Sequence, residues 1–238
     1  MRIIPAIDII DGKLVRLTQG DYSRSKSYSD NPVEIAKGFV DSGIEYLHLV
    51  DLDGARAGEV VNIEVLENIC SQTTLKVDFG GGVKTSEQLK RVLDAGAVQV
   101  TGGSIAVKNP DEFQSWLDTY GSEKIILGCD AKDGKIAVSG WQESSEITIE
   151  GLINSFQGVS NVICTDISQD GTLEGPNLEL YTQLVASFPK LNVIASGGVG
   201  SQDDLLALKE TGVEGVILGK AIYEGKVDLS KLSEIGLC

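Results

Sequence analysis

Histidine, methionine and aromatic side chains are scarce: the 238 residues include one His, one Met and only 5% Phe, Trp and Tyr. A histidine-rich metal centre is thereby excluded, and the four cysteines, Cys70, Cys129, Cys164 and Cys238, lack the C-x-x-C spacing of zinc or dithiol sites. Cys129 and Cys164 close apolar runs and read as buried thiols of a reducing compartment. Basic residues are also short, 20 Lys and Arg against 35 Asp and Glu, a net charge of −15. That field repels nucleic acids and anionic membrane surfaces, so any phosphate must be caught by local donors. No apolar run approaches the roughly 18 residues of a membrane span. MRIIPAID leads into a strand-like segment rather than a secretory leader. No Pro/Ser-rich linker divides the chain, and G-x-G-x-x-G is absent. These absences leave a cytoplasmic, single-domain protein acting on a small molecule, with neither metal nor other cofactor expected. No exposed apolar stripe marks a subunit interface, and a monomer is expected.

What is present is a repeat. AIDIIDGK near the start returns as GCDAKDGK, with Asp8 and Asp11 at the same offset of 122 from Asp130 and Asp133. GGVKTSEQLKRVLDAGAVQVTGGS returns as GGVGSQDDLLALKETGVEGVILGK at an offset of 116, from Gly82 to Gly198 and Gly103 to Gly219. The slightly smaller second offset requires only a short loop deletion. Two half-domains, about 1–121 and 122–238, are expected to carry the same four strand-and-helix units.

Apolar runs at Ile3–Ile7, Tyr46–Val50, Leu75–Phe79, Val98–Thr101, Ile125–Cys129, Val162–Thr165, Val193–Ala195 and Gly215–Leu218 lack polar alternation, as in parallel strands buried on both faces. Helical segments lie between them, opened by Asn31-Pro32, Thr85, Asn109-Pro110, Pro176-Asn177 and Ser201. Eight such alternations predict an α/β fold, a (β/α)8 TIM barrel with a twofold half-barrel repeat. An open doubly wound sheet is the alternative, but it does not explain the duplication. After the first strand, Asp11-Gly12 signals a hairpin. DYSRSKSYSDN then reads as a mobile polar loop, and Gly20–Asp30 as a lid that orders over substrate.

The glycine turns follow strands three and seven (Gly81 and Gly82; Gly197 and Gly198) and strands four and eight (Gly103 and Ser104; Gly219 and Lys220). Glycine lets backbone N–H groups converge on an anion, and barrels bind phosphate in the turns after strands seven and eight. Duplication of those turns predicts two phosphate sites across one barrel mouth, hence a bisphosphorylated substrate. Asp8 and Asp130 each end a buried strand, where an unneeded carboxylate would be costly; as an opposed pair they suit proton donation and abstraction. Asp11 and Asp133 precede glycine and read as turn formers.

Further candidates cluster on the same face. His48 lies inside a buried strand, either packed in the core or facing substrate. Thr165 ends the sixth strand and Asp170 follows it; Asp170-Gly171-Thr172 is either only a turn or, with Thr165, positioned to bind a ribose or to steady the acid, with Asp51 and Asp166 assigned to the same face. Ser196, like Ser104, is either a further phosphate partner or simply a cap at a helix entry. Trp141 is placed to stack on a heterocycle, whereas Trp116 reads as packing. Arg16 is either an anion contact or a solvated hairpin charge.

Together, IIPAIDIIDGKLVRLTQGDY, HLVDLDGA, GGGVK, CDAKDGKIAVSGW, TDISQDGTLEGPN and ASGGVGS resemble the phosphoribosylformimino-aminoimidazole-carboxamide ribotide isomerases of histidine biosynthesis, over essentially the whole chain. The resemblance implies a half-barrel-duplicated (β/α)8 enzyme performing an Amadori aldose-to-ketose rearrangement without a cofactor. It implies Asp130 as general acid, Asp8 as general base, Thr165 as assistant to the acid and Trp141 as the stacking residue. Two positions depart from the family pattern. Lys84 replaces the usual arginine, keeping the charge but not the planar fork, and Asp78 stands where a neutral polar residue is common. Three alternatives are the cyclase subunit of imidazole-glycerol-phosphate synthase, a dual-substrate isomerase that also serves tryptophan synthesis, and a non-catalytic phosphate-binding barrel. The cyclase usually opens with a cysteine and Leu-Asp-Val where this chain has Ala6-Ile7-Asp8-Ile9, and lacks the Gly-Trp after strand five.

Overall fold

The computed structural model describes residues 1–235; Cys238 lies outside the described residues. Eight strands, β1 (Arg2–Ile10), β2 (Tyr46–Asp51), β3 (Lys76–Gly80), β4 (Gln99–Gly102), β5 (Ile125–Lys132), β6 (Asn161–Asp166), β7 (Asn192–Ser196) and β8 (Gly215–Leu218), pair in parallel with their chain neighbours. Pairing of β8 with β1 closes the ring, so no barrel strand keeps a free edge. The fold is a (β/α)8 barrel, and the doubly wound alternative is excluded.

The helices form where amphipathic stripes and caps coincide. Thr85 accepts from Gln88 N–H ahead of Ser86–Asp94, and Ser201 accepts from Asp204 N–H ahead of Gln202–Glu210. Each satisfies a donor that the first helical turn leaves unpaired, worth about 1 kcal/mol against alanine. Their buried faces, Leu89 with Val92 and Leu205 with Leu208, join the apolar layer between helices and barrel. Trp116 lies in this layer at 1% exposure, as packing.

Strand registers match between the halves. Asp8 pairs with Val50 as Asp130 pairs with Thr165; His48 with Asp78 as Ile163 with Ile194; Gly80 with Thr101 as Ser196 with Ile217. Side chains at paired positions of parallel strands share a face. The register therefore carries both acids to the carboxyl-terminal end of the barrel, above an interior plug of Ile4, Ala6, Ile126, Ile163, Ile194 and Ile217.

β1 and β5 each continue into a two-armed hairpin. Asp11 and Gly12 (φ 50° and 72°) and Asp133 and Gly134 (φ 52° and 78°) take the left-handed pair of a tight two-residue turn. The arms are Lys13–Thr18 with Asp21–Ser29, and Lys135–Val138 with Glu143–Thr148. The segment expected as a mobile loop is thus a strand already hydrogen-bonded to its partner, which removes the premise that it orders only on binding. Its alternation of Tyr22, Arg24, Lys26 and Tyr28 with serines is the period-two signature of a strand, masked because most of the segment is solvent-exposed.

Candidate active site

The hairpin tips meet over the barrel mouth. The Trp141 indole lies so close to Gly20 that a Cβ there would sit 2.5 Å from Cε3, so only glycine fits beneath the ring. Under this roof lies a cavity of about 210 Å³, lined by Asp8 and Asp130 from opposed strands and by His48, Thr165 and Asp170. The first set of glycine turns, Gly81, Gly82, Gly103 and Ser104, opens onto the same cavity, as does Lys84. A smaller hollow of about 20 Å³ is formed by the second set, Gly197, Gly198, Gly219 and Lys220. Arg16 and Asp170 line both spaces and form the wall between them. The structure brings the two acids, Thr165, Asp170, Arg16, His48, Trp141 and both sets of glycine turns to one end of the barrel, in two compartments.

The turns need glycine. Gly81 and Gly198 have φ of 95° and 90°, and a Cβ on either would lie 2.2 Å from the carbonyl oxygen of Asp51 or of Gly175. Such close backbone approach is what an anion cradle requires. Ser104 Oγ accepts from Ser139 N–H at 2.9 Å and so ties the second hairpin to the β4 turn. Lys220 Nζ donates to the carbonyl of Gly171 at 2.7 Å.

Each acid has one dominant partner. Arg16, from the first hairpin, places Nη1 2.8 Å from Asp8 Oδ2 and Nη2 3.9 Å from Asp170 Oδ1, with only 10% of its side chain exposed. The solvated-charge alternative for Arg16 is therefore wrong: its hairpin folds inward over the mouth. Its Nε–H has no protein partner and is buried, leaving a donor for an anion. Asp130 accepts from Trp141 Nε1–H at 2.8 Å, so the indole holds the acid as well as roofing the cavity. Thr165 stands beside Asp130 in the β5–β6 register, 5% exposed.

Burial dominates the electrostatics. It raises the pKa of Asp8, while the charges of Arg16 and His48 act in the opposite direction. Burial lifts Asp170 to about 6, with Asp8 and Asp130 pushing the same way and Arg16 and Lys220 opposing. Burial pulls His48 down, but Asp78, by charge and hydrogen bond, with Asp8 and Asp130, carries it above its ordinary value.

Asp170 yields a stability prediction. Its folded pKa, about 6, exceeds the ordinary value of 3.8, so its ionisation opposes folding. The penalty is absent below about pH 4, grows through the interval and is complete above 6. Asp170→Asn should therefore raise unfolding free energy at pH 8 by roughly 3 kcal/mol at most, with no gain at pH 4. Urea unfolding at the two pH values checks this, and an equal change at both would contradict it.

Two acids assigned to the mouth face elsewhere. Asp51, fully buried, accepts from Gly54, Val61 and Asn62 backbone N–H and from Asn62 Nδ2. Asp166 accepts from Ser168 N–H and Asn177 Nδ2. Strand alternation turns both away from the barrel interior, where they anchor loops. Sequence reasoning also passed over Thr101 and Tyr22, which line the cavity, and gave Asp78 no role. The repeat marks both Asp78 and Thr101, since their equivalents 116 residues on, Ile194 and Ile217, are apolar.

A closed parallel barrel with two opposed strand-end carboxylates and two sets of glycine turns at its mouth defines the (β/α)8 class, with a candidate active site at the carboxyl ends of the strands. Within that class, the chain belongs to the histidine biosynthesis protein family, whose model matches residues 2–228. Its relatives include proteins named 1-(5-phosphoribosyl)-5-((5-phosphoribosylamino)methylideneamino)imidazole-4-carboxamide isomerase: one from Cytophaga hutchinsonii at 56% identity and one from Flavobacterium johnsoniae at 55%, each covering 98% of both chains. The protein of that name from Bacteroides thetaiotaomicron is 55% identical over 234 residues, again 98% of both chains.

Proposed function

We propose that this enzyme converts the compound in its relatives' names, an aminoaldose with a phosphoribosyl group at each end, into the corresponding aminoketose. The pairing of Asp8 and Asp130 across one cavity carries the assignment. Asp130 donates a proton to the ribose ring oxygen; the C1–O bond breaks, and the exocyclic nitrogen supplies its electron pair to form a C1=N Schiff base. Asp8 removes the proton from C2, and those electrons form C1=C2 as the iminium charge is neutralised. Return of a proton from Asp8 to C1 and loss of the C2 hydroxyl proton to Asp130 give the ketone and restore both carboxyls. No atoms or electrons are gained or lost, as an isomerisation requires.

The protein environment suits these roles. Burial strengthens Asp8 as a base, while Arg16 and His48 favour its ionised form. Trp141 bonds Oδ2 of Asp130, leaving Oδ1 for the transferred proton, and its ring borders the space for the imidazole. Gly81, Gly82, Gly103 and Lys84 would bind one phosphate, and Gly197, Gly198, Gly219, Lys220 and the free Nε–H of Arg16 the other.

The protein is read as a monomer whose halves 1–121 and 122–238 each supply one acid and one phosphate cradle. Among the described residues no helix is long and apolar enough to cross a membrane, and a cytoplasmic biosynthetic role fits. The test is an absorbance assay with the bisphosphorylated aminoaldose, the ketose confirmed by chromatography. Turnover is expected, and its absence with correctly folded protein would overturn the assignment.

A further inference from the structure

The two halves of the barrel differ most sharply in their interior. At three equivalent positions the second half has Ile163, Ile194 and Ile217, while the first has His48, Asp78 and Thr101. The isoleucines belong to the apolar plug. The polar three form a closed network: Thr101 Oγ1 donates to Asp78 at 2.8 and 2.9 Å to its two oxygens, and His48 Nδ1 lies 2.5 Å from Asp78 Oδ2. Asp78 is 7% exposed, and His48 and Thr101 line the main cavity. A buried charged network is seldom more stabilising than well-packed apolar side chains of similar size, and the second half demonstrates that isoleucine fits these places. Stability therefore does not account for the trio.

The substrate poses a problem that the trio can solve. Both its ends carry a phosphorylated ribose, and both halves of the barrel offer a glycine cradle and a carboxylate, so it can lie in either direction. Only one direction sets the reacting ribose between acid and base. The feature that the ligand does not duplicate is its imidazole carboxamide, and an interior feature that the barrel strands do not duplicate is the polar trio. We propose that His48, oriented by Asp78 and Thr101, fixes the direction in which the substrate lies by donating from Nε2–H to the carboxamide oxygen, which the isoleucine wall opposite cannot do. Nδ1–H donates to the Asp78 carboxylate, and the charges of Asp78, Asp8 and Asp130 favour the imidazolium, in which Nε2 also carries a proton; Nε2 makes no hydrogen bond to another described residue. His48 is then a specificity residue, and Asp78 and Thr101 are positioning residues. Discrimination of this kind needs little energy, since a tenfold preference corresponds to one modest hydrogen-bond difference.

This inference rests on the proposed function, and phosphorus NMR separates the two. An Asp8→Asn background halts turnover, so the bound aminoaldose can be observed directly. One orientation gives two bound phosphate signals. Adding His48→Ile, Asp78→Ile and Thr101→Ile makes the interior symmetric and should give four, as each end samples both cradles. Should that variant fold poorly, Asp78→Asn, nearly isosteric, should show the same second set at lower intensity. Two unchanged signals in every folded variant would overturn the orientation role. Absence of bound signals in the Asp8→Asn parent itself would instead overturn the substrate assignment. A purely structural role for the trio would alter the melting temperature without doubling the signals.

Discussion

Asp8→Asn and Asp130→Asn are each expected to lower kcat by about 10³-fold or more, within the 10²–10⁴ range typical of a lost general acid or base and toward its upper end because each residue acts twice in one cycle. Asparagine keeps the size of aspartate and can still accept through its carbonyl, so the Trp141 bond to position 130 can persist. At position 8 the amide gives Arg16 a neutral partner, and burial no longer acts against a charge there. Both variants should therefore fold and bind the bisphosphorylated substrate with a dissociation constant within about tenfold of the parent's. The two losses should be far from additive, since removing either acid already interrupts the proton cycle. Single-turnover measurements on both single variants and the double variant check this. Near-normal turnover in either single variant would remove that residue from the mechanism, and multiplicative losses would show that the acids act in separable steps.

The barrel was legible because fully buried parallel strands write uninterrupted apolar runs, and because duplication made each glycine turn its own control. Asp8 and Asp130 were legible for the same reason: a carboxylate at a buried strand end is costly wherever chemistry does not use it. Asp51 misled because composition gives its strand but not which way a side chain faces at the strand's end. Beside a local cap on Gly54 N–H, it accepts from backbone groups ten and eleven residues away, which only the folded loop brings near. The first hairpin misled in the opposite direction. Its polar alternation is a valid strand pattern, but exposure removes the hydrophobic signal on which strand recognition depends. The His48 network lies between these cases, since each member alone resembles an ordinary polar residue and only comparison with Ile163, Ile194 and Ile217 reveals an asymmetry.

Arg16→Met should be the most damaging substitution to stability. The guanidinium is the cation paired with Asp8 and lies near Asp170, both buried, and methionine replaces its volume without its charge. Leaving buried carboxylates without their counter-ion typically costs about 3–5 kcal/mol. The sign of the pH dependence follows from the same charges. Arg16 lowers the pKa of both acids against burial, so its loss raises both further and enlarges the penalty for ionising them. That penalty vanishes once they are protonated. The fall in melting temperature should accordingly be largest at pH 8 and smallest near pH 4, and a loss independent of pH would mean that Arg16 acts through packing alone. The acidic limb of kcat/KM should move to higher pH, because the base must be ionised to abstract a proton. Gly219→Ala offers an independent approach to the same contact: its Cβ would lie 2.3 Å from Arg16 Cζ, displacing the guanidinium while leaving every charge present. If ion pairing at this wall sets both stability and the basicity of Asp8, Gly219→Ala should reproduce the pH-dependent fall in smaller measure, with the same upward movement of the acidic limb.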